Sequence, residues 1–382
     1  MDRQHQLALY RAMVSARRVD QLEQEITNRG EAFFTLFSGG HEATAALAPH
    51  LTEDDWLHCH YRDKALLLAR GLPLRAFFDN LYCKNNSSSR GRQMYGFMSD
   101  PELHLLSMAV PVANNALQAV GVAAAVRDQD TAPIVYCGVG DGTTQQGEFL
   151  EACAEAVRSH LPVLFVVQNN RWAISTRTEG RTFYSLPDGP AGTLFGMPIQ
   201  FADGRHMHRV YDQFAEIVAE MRCERRPALI VLDIERLGSH TNADDQSIYR
   251  SADDIAQGHQ TGDPIPIFER WLLENGWSEA ELAEVRKQAE IAVVEADEEA
   301  VAGMEPEPTL EAKRPLKVEL THPSRERRGT GEGLQLIMRD AIKEVLRDHL
   351  RKDERVLLLG EDIADPKGDV FGVTRGLSTQ FP

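Results

Sequence analysis

The sequence predicts an α/β protein, a parallel sheet with helices on both faces. Two observations predict it. Short runs rich in apolar and β-branched residues, IVYCGV at 134–139, VLFVV at 163–167 and ALIVLDI at 228–234, read as strands buried on both faces. Helical patterns at 115–126, 146–159 and 211–223 alternate with them, and alternation of this kind builds βαβ units. At 382 residues the chain is long enough for two or three domains.

The remaining elements follow in order. Leu7, Tyr10, Met13, Val14, Val19 and Leu22 recur at a roughly helical period within 3–29, and Gly30 is a natural stop, so an amphipathic helix packed on a larger body is expected there. Residues 278–312 hold eleven acidic side chains against Arg286 and Lys287, which reads as a solvated helix running into a linker. Proline and charge dominate the following stretch, so the linker is placed at 313–332, between a first domain at 1–312 and a last segment at 333–382. In that segment a helix near 334–350 and a strand, VLLLGED, at 356–362 are expected.

Composition excludes several function classes. With 41 Lys+Arg against 58 Asp+Glu the formal charge is −17, which disfavours binding to nucleic acid or anionic membranes. The longest apolar stretches, such as LPVLFVV at 161–167, fall short of the ~20 residues that span a bilayer. Charges scattered through MDRQHQLALYRAMVSARR argue against a secretory signal and for the cytoplasm. Five cysteines, at 59, 83, 137, 153 and 223, are too widely spaced for a disulfide framework or a structural zinc site.

The chemistry concentrates between Gly138 and Thr176. One buried strand delivers Gly140-Asp141-Gly142 to its carboxyl end, a helix follows, and a second strand delivers Asn169-Asn170 to the same edge, where open α/β sheets bind ligands. Glycine backbone can approach a phosphate closely, and the following helix N-terminus adds partial positive charge. Asp141, the Asn170 amide oxygen and a backbone carbonyl, most naturally that of Trp172, make an incomplete oxygen cage. Magnesium accepts such a cage when ligand phosphates fill the other positions, so the inferred ligand is a Mg²⁺ diphosphate. A dinucleotide loop fits less well: the glycine expected three residues after Gly140 is Thr143, and a P-loop lysine is missing.

Gly-Asp-Gly followed on the next strand by Asn-Asn resembles the thiamine diphosphate signature, and the wording from Gly140 to Thr176 resembles the α subunit of the thiamine-dependent 2-oxo acid dehydrogenase (decarboxylating) component. The resemblance implies a thiamine diphosphate-binding fold, with Gly140, Asp141, Gly142, Thr143 and Asn170 at the cofactor and Asp141, Asn170 and Trp172 on Mg²⁺. Tyr61-Arg62 in HYRDKALLLARG matches the pair that helps bind the diphosphate, a role suited to a guanidinium fork. GRQM at 91–94 matches the stretch before the active-site funnel, and SMAVPVANNALQAVG at 107–121 puts Val112 against the aminopyrimidine ring. ERLGSHTNADDQSIYR at 235–250 resembles the mobile active-site loop, in which Arg236 binds the diphosphate and His240 lines the reaction pocket. Its ordinary pKa of ~6.5 would let His240 give or take a proton near neutrality. Two departures bear on substrate preference: Gln168 stands where the family often has arginine or glutamate, and 183–214 diverges in wording.

Farther on, 333–381 resembles the opening of the family's β subunit, through an amphipathic helix, Gly360-Glu361-Asp362 and Gly368-Asp369-Val370-Phe371. What the resemblance implies is oxidative decarboxylation of a 2-oxo acid, pyruvate or a branched-chain one, with acyl transfer to the lipoyl domain of a dihydrolipoyl acyltransferase. A β subunit, or the β half of a fused chain, would complete the site in a heterotetramer. The ring-activating glutamate belongs to that β half, so the 382 residues alone are expected to be inactive, with the part after about 325 loosely held and Leu336, Ile337, Val356 and Leu358 short of packing partners. Alternatives are an acetoin dehydrogenase-type enzyme, a transketolase-like enzyme or a catalytically silent assembly subunit.

Overall fold

A computed structural model describes residues 1–307, 322–325, 333, 335–358, 360 and 362–382. The expected linker at 313–332, apart from 322–325, and Glu361 lie outside the described residues. The chain divides into two compact units, Met1–Glu305 and Pro306–Pro382.

The first unit carries the sheet. Its strands are β1 (Trp56–His58), β2 (Val135–Gly140), β3 (Val163–Asn169), β4 (Thr193–Leu194), β5 (Met197–Asp203) and β6 (Ala228–Asp233), in the spatial order β1-β2-β3-β6-β5-β4. All neighbours are parallel except the short β4–β5 hairpin at one edge. Successive side chains of a strand point to opposite faces. Val135, Cys137 and Val139 therefore join one core with Val163, Phe165, Val167, Leu229 and Val231, while Tyr136, Leu164, Val166, Ile230 and Leu232 join another. Two apolar cores, one per face, are what an α/β sheet requires.

The helices cover both. On one side lie α4 (Asn114–Val126) and α5 (Gly147–Arg158), which contribute Ala116, Ala119, Ala123, Phe149 and Cys153 to the core of Val135 and Phe165. The other side takes α1 (Arg3–Asn28), α2 (Lys64–Arg70), α3 (Leu74–Leu81), α6 (Met207–Glu224), α8 (Pro264–Glu274) and α9 (Glu279–Val301), with α7 (Ala252–Gly262) following the loop after β6. Asp2 starts α1 by accepting from the His5 N–H at 2.8 Å, and Ser278 with Glu281 form a reciprocal capping box at α9. Among the described residues no helix is long and apolar enough to cross a membrane.

Two expectations need correction. The acidic 278–312 stretch is not a wholly solvated helix: α9 buries Leu282, Val285, Ala289, Val293, Ala296 and Ala300 and packs against α1 and α3. These residues recur at helical spacing, and the surrounding glutamates masked a complete apolar stripe. No strand forms at the described residues of 356–362, because no described segment pairs with them and an unpaired strand leaves its backbone groups unsatisfied. The second unit contains α10 (Met338–Lys352) and a turn in which Asp365 accepts from Thr379 N, Thr379 Oγ1 and Ser378 Oγ. Leu336, Ile337, Met338, Ile342 and Val345 are exposed, while Val356 and Leu358 are half-buried.

Candidate active site

Gly140 of β2 lies opposite Gln168 of β3, so the next residues, Asp141 and Asn169-Asn170, leave the sheet side by side at its carboxyl edge. Asp141 is buried, and its carboxylate is held by the Gly142 N–H at 3.0 Å and the Thr178 hydroxyl at 2.7 Å. Both donors are neutral. Burial therefore pushes its pKa up, against smaller opposing effects from these hydrogen bonds and Arg236. The Gly142 N–H, expected to face a phosphate, is turned onto the Asp141 side chain instead. Gly138 is the glycine under steric demand here, since a Cβ there would lie 2.6 Å from the Tyr136 hydroxyl and 2.7 Å from Asp63 Oδ2. Thr143 is buried in the turn, and Thr144 Oγ1 donates to the Asp141 carbonyl at 2.7 Å.

Asn170 is also buried; its Oδ1 accepts from the Trp172 N–H at 3.0 Å and its Nδ2 lies 3.3 Å from His41 Nε2. Among the described residues no group of three or more His, Cys, Asp or Glu side chains could hold a metal. The expected metal set contains a single carboxylate, with the Asn170 amide and the Trp172 carbonyl as neutral oxygens. A buried carboxylate with only neutral partners fits such a set, because a cation would supply its missing counter-charge.

Two guanidinium groups supply the opposite imbalance. Arg62 is buried beside α2, donating to the Phe37 carbonyl and, at 2.9 Å, to the His240 carbonyl, with His240 Nδ1 at 3.1 Å. Arg236, just after β6, donates to the Ile174 carbonyl at 2.9 Å and to Tyr249 Oη at 2.6 Å, while its buried Nε has no partner. Burial pulls the Arg236 pKa down, and Arg62 adds to that effect. Every other buried lysine or arginine of the first unit faces a carboxylate: Lys64 meets Asp20 and Glu23, Arg250 meets Glu235 and Asp254, and Lys84 meets Glu305.

His240 is held between these groups. Its backbone N–H donates to Asp244 Oδ2 at 2.8 Å, and the Tyr249 hydroxyl donates to the same oxygen at 2.5 Å. Burial, then Arg62 and Arg236, drive its pKa well below the ordinary value. The expectation of titration near neutrality is thus corrected: burial beside two guanidiniums, only partly offset by Asp244, disfavours the imidazolium, and because Arg62 must donate to Nδ1, the ring proton sits on Nε2. Tyr61 is half-buried, its ring 4.0 Å from that of His60 and edge-on to that of His240 at 6.3 Å. Val112 is 44% exposed on the turn before α4, a helix anchored by Asn115 Nδ2 donating to the Gly138 carbonyl at 2.9 Å.

Sequence reasoning missed His41 and His60, and it noted Gln168 only as a departure from the family pattern. Gln168 is fully buried, with Nε2 donating to Asp63 Oδ1 at 2.6 Å and Oε1 2.7 Å from His41 Nδ1. The signal was the position itself, a polar side chain inside a strand covered on both faces. The loop after β6 is stitched to the strap after α1: Leu237 N–H donates to Gly39 O at 3.2 Å, Thr35 N–H to Asn242 Oδ1 at 3.1 Å, and Asn242 N–H to Thr35 O at 3.2 Å. Gly40, at φ +97°, is required by this closure, since a Cβ would sit 1.7 Å from the Glu235 carbonyl oxygen.

The carboxyl edge of the parallel sheet thus brings together a buried carboxylate to which no cation is hydrogen-bonded and two buried guanidiniums to which no carboxylate is hydrogen-bonded. Residues 10–309 match the model of the dehydrogenase E1 component, and the chain belongs to that family. It is 31% identical over 308 residues to the 2-oxoisovalerate dehydrogenase subunit alpha, mitochondrial, of Mus musculus, covering 80% of this chain and 69% of that one. The Homo sapiens protein of the same name is 30% identical over 80% of this chain and 68% of its own. The subunit alpha 1 of Arabidopsis thaliana is 30% identical over 74% of this chain and 60% of its own.

Proposed function

We propose that the chain forms the diphosphate- and metal-binding half of a thiamine diphosphate-dependent 2-oxo acid dehydrogenase, working with a β-type partner and passing its acyl product to a lipoyl arm. One observation carries this reading: the site is electrostatically incomplete in both directions. Asp141 has no cation bonded to it, and Arg62 and Arg236 have no anion bonded to them, the Arg236 charge reaching Asp141 and Asp244 only through space. A Mg²⁺ diphosphate supplies both at once.

In this reading Asp141, the Asn170 amide oxygen and the Trp172 carbonyl hold Mg²⁺, Arg62 and Arg236 hold the diphosphate, and Tyr61, Gly140, Gly142, Thr143 and Val112 shape the cofactor's bed. Thiamine diphosphate, when bound, supplies the electron sink for decarboxylation. His240 presents its Nε2 proton to the reacting oxygen of the substrate, while the bond between Arg62 and Nδ1 fixes the tautomer. Asp244 and Tyr249 keep the loop in register with Arg236.

A branched-chain 2-oxo acid is the substrate best supported, through the names of the relatives. A cytoplasmic location stays a proposal beside their mitochondrial names. Calorimetry on the full chain with its β-type partner tests the core of the reading: Asp141→Ala should abolish Mg²⁺-dependent binding of thiamine diphosphate, and unchanged affinity would overturn the metal assignment. Dye reduction with branched-chain 2-oxo acids, pyruvate and acetoin then ranks the substrates.

A further inference from the structure

We propose that His41 and Gln168 are positioning residues that hold the Asn170 amide with its oxygen toward the cation and its nitrogen away. The inference rests on the reading of Asn170 as a metal ligand. An asparagine side chain has two ends of equal size and opposite chemistry, and only the oxygen can ligate. Something must choose between them.

The choice is made at Asp63, three groups away. Its carboxylate receives the His60 N–H at 2.7 Å, the Tyr136 hydroxyl at 3.0 Å and Gln168 Nε2 at 2.6 Å, so it acts as a pure acceptor. Gln168 must therefore turn its NH₂ toward Asp63 and its oxygen toward His41. That oxygen, 2.7 Å from Nδ1, requires a proton on Nδ1 of His41. A neutral imidazole protonated at Nδ1 has a bare Nε2, which accepts from Asn170 Nδ2 at 3.3 Å. Asn170 Oδ1 is then set on the other side, where Trp172 N–H takes one lone pair at 3.0 Å and the second remains for a cation.

Each link has one direction only, and all of the side chains involved are buried. Rotation of any one amide would set two donors or two acceptors face to face and leave buried polar groups unsatisfied. The glutamine that departs from the family pattern thus has a role: it transmits the polarity of Asp63 through His41 to the ligand.

Outer partners of metal ligands typically contribute about 10–100-fold to metal affinity. The test is Mg²⁺ titration of thiamine diphosphate binding, followed calorimetrically on the full chain with its β-type partner. His41→Phe should weaken Mg²⁺ by about 10–100-fold, with thiamine diphosphate affinity at saturating Mg²⁺ little changed. In an Asn170→Asp background, where both side-chain ends are oxygens, the same substitution should change Mg²⁺ affinity by less than about twofold. Equal losses in both backgrounds, or none in either, would overturn the proposal. Should His41→Phe fail to fold, Gln168→Leu carries the same pair of measurements. Retained Mg²⁺ dependence in Asp141→Ala would instead overturn the metal reading itself.

Discussion

Arg62 and Lys64 stand two residues apart, both almost fully buried, and they are treated in opposite ways. Lys64 points into a closed cluster beneath α1. Its ammonium meets Asp20 Oδ1 at 2.6 Å and Glu23, whose other oxygen accepts from Tyr95, while Ser38 and Thr35 bond to the same acids. Arg62 points to the sheet edge and finds only carbonyls and an imidazole. A compensated buried charge is architecture, because its partners already occupy every direction. An uncompensated one is costly unless another molecule completes it. In the proposed reading this difference separates scaffold from site.

That contrast can be broken experimentally. Changing His240 to alanine, within the open cluster, should lower turnover by about 10²–10⁴-fold while leaving cofactor affinity nearly intact. Equal mild losses in rate and affinity would mark it as a residue of loop stability. In the closed cluster Lys64→Met should cost ~3–5 kcal/mol of folding stability, since two carboxylates lose their cation. Chemical denaturation would show this, and a wild-type midpoint would refute the distinction. Arg236→Met should behave oppositely: Mg²⁺–thiamine diphosphate affinity falls about 10–100-fold, for a charge-assisted bond of ~1.5–3 kcal/mol, yet the unliganded chain melts no lower than wild type. A large drop in melting temperature there would mean that the guanidinium already has its partners.

The smallest effect concerns pH. Burial, with Asp20 nearby, raises the Glu23 carboxyl to about 7 despite Lys64. An acid whose folded pKa lies above its unfolded value contributes stability at low pH that is lost as pH rises, here between ~4.3 and about 7. Glu23→Gln should flatten the fall in melting temperature between pH 5 and 8, and an unchanged slope would assign it to other groups.

Much of this was legible in the sequence. The buried strands of 134–139, 163–167 and 228–234 announced the parallel sheet, and Asp141 with Asn170 followed from strand ends that must share an edge. The closed and open clusters were not, because compensation depends on Asp20 and Glu23 of a distant helix reaching Lys64. Periodicity placed those acids on a helix but could not show them buried. His41 sits just ahead of the 3₁₀ segment Glu42–His50, where no periodic pattern marks it, and Gln168 read only as a departure bearing on substrate preference until its two ends were seen bonded. The apolar stripe of α9 was present in the sequence but outweighed by charge.

The stitching of the strap at 33–40 to the loop after β6 joins groups 207 positions apart, as in the Thr35–Asn242 pair. On a ribosome adding ~5–20 residues per second, about 10–40 s separate the emergence of these two partners. Arg62, which leans on the strap through Phe37, leaves the ribosome early and waits for its loop. A diphosphate ligand therefore cannot template the early steps of folding. In the proposed reading it is a latch on a clasp whose second half is made 178 residues after the first.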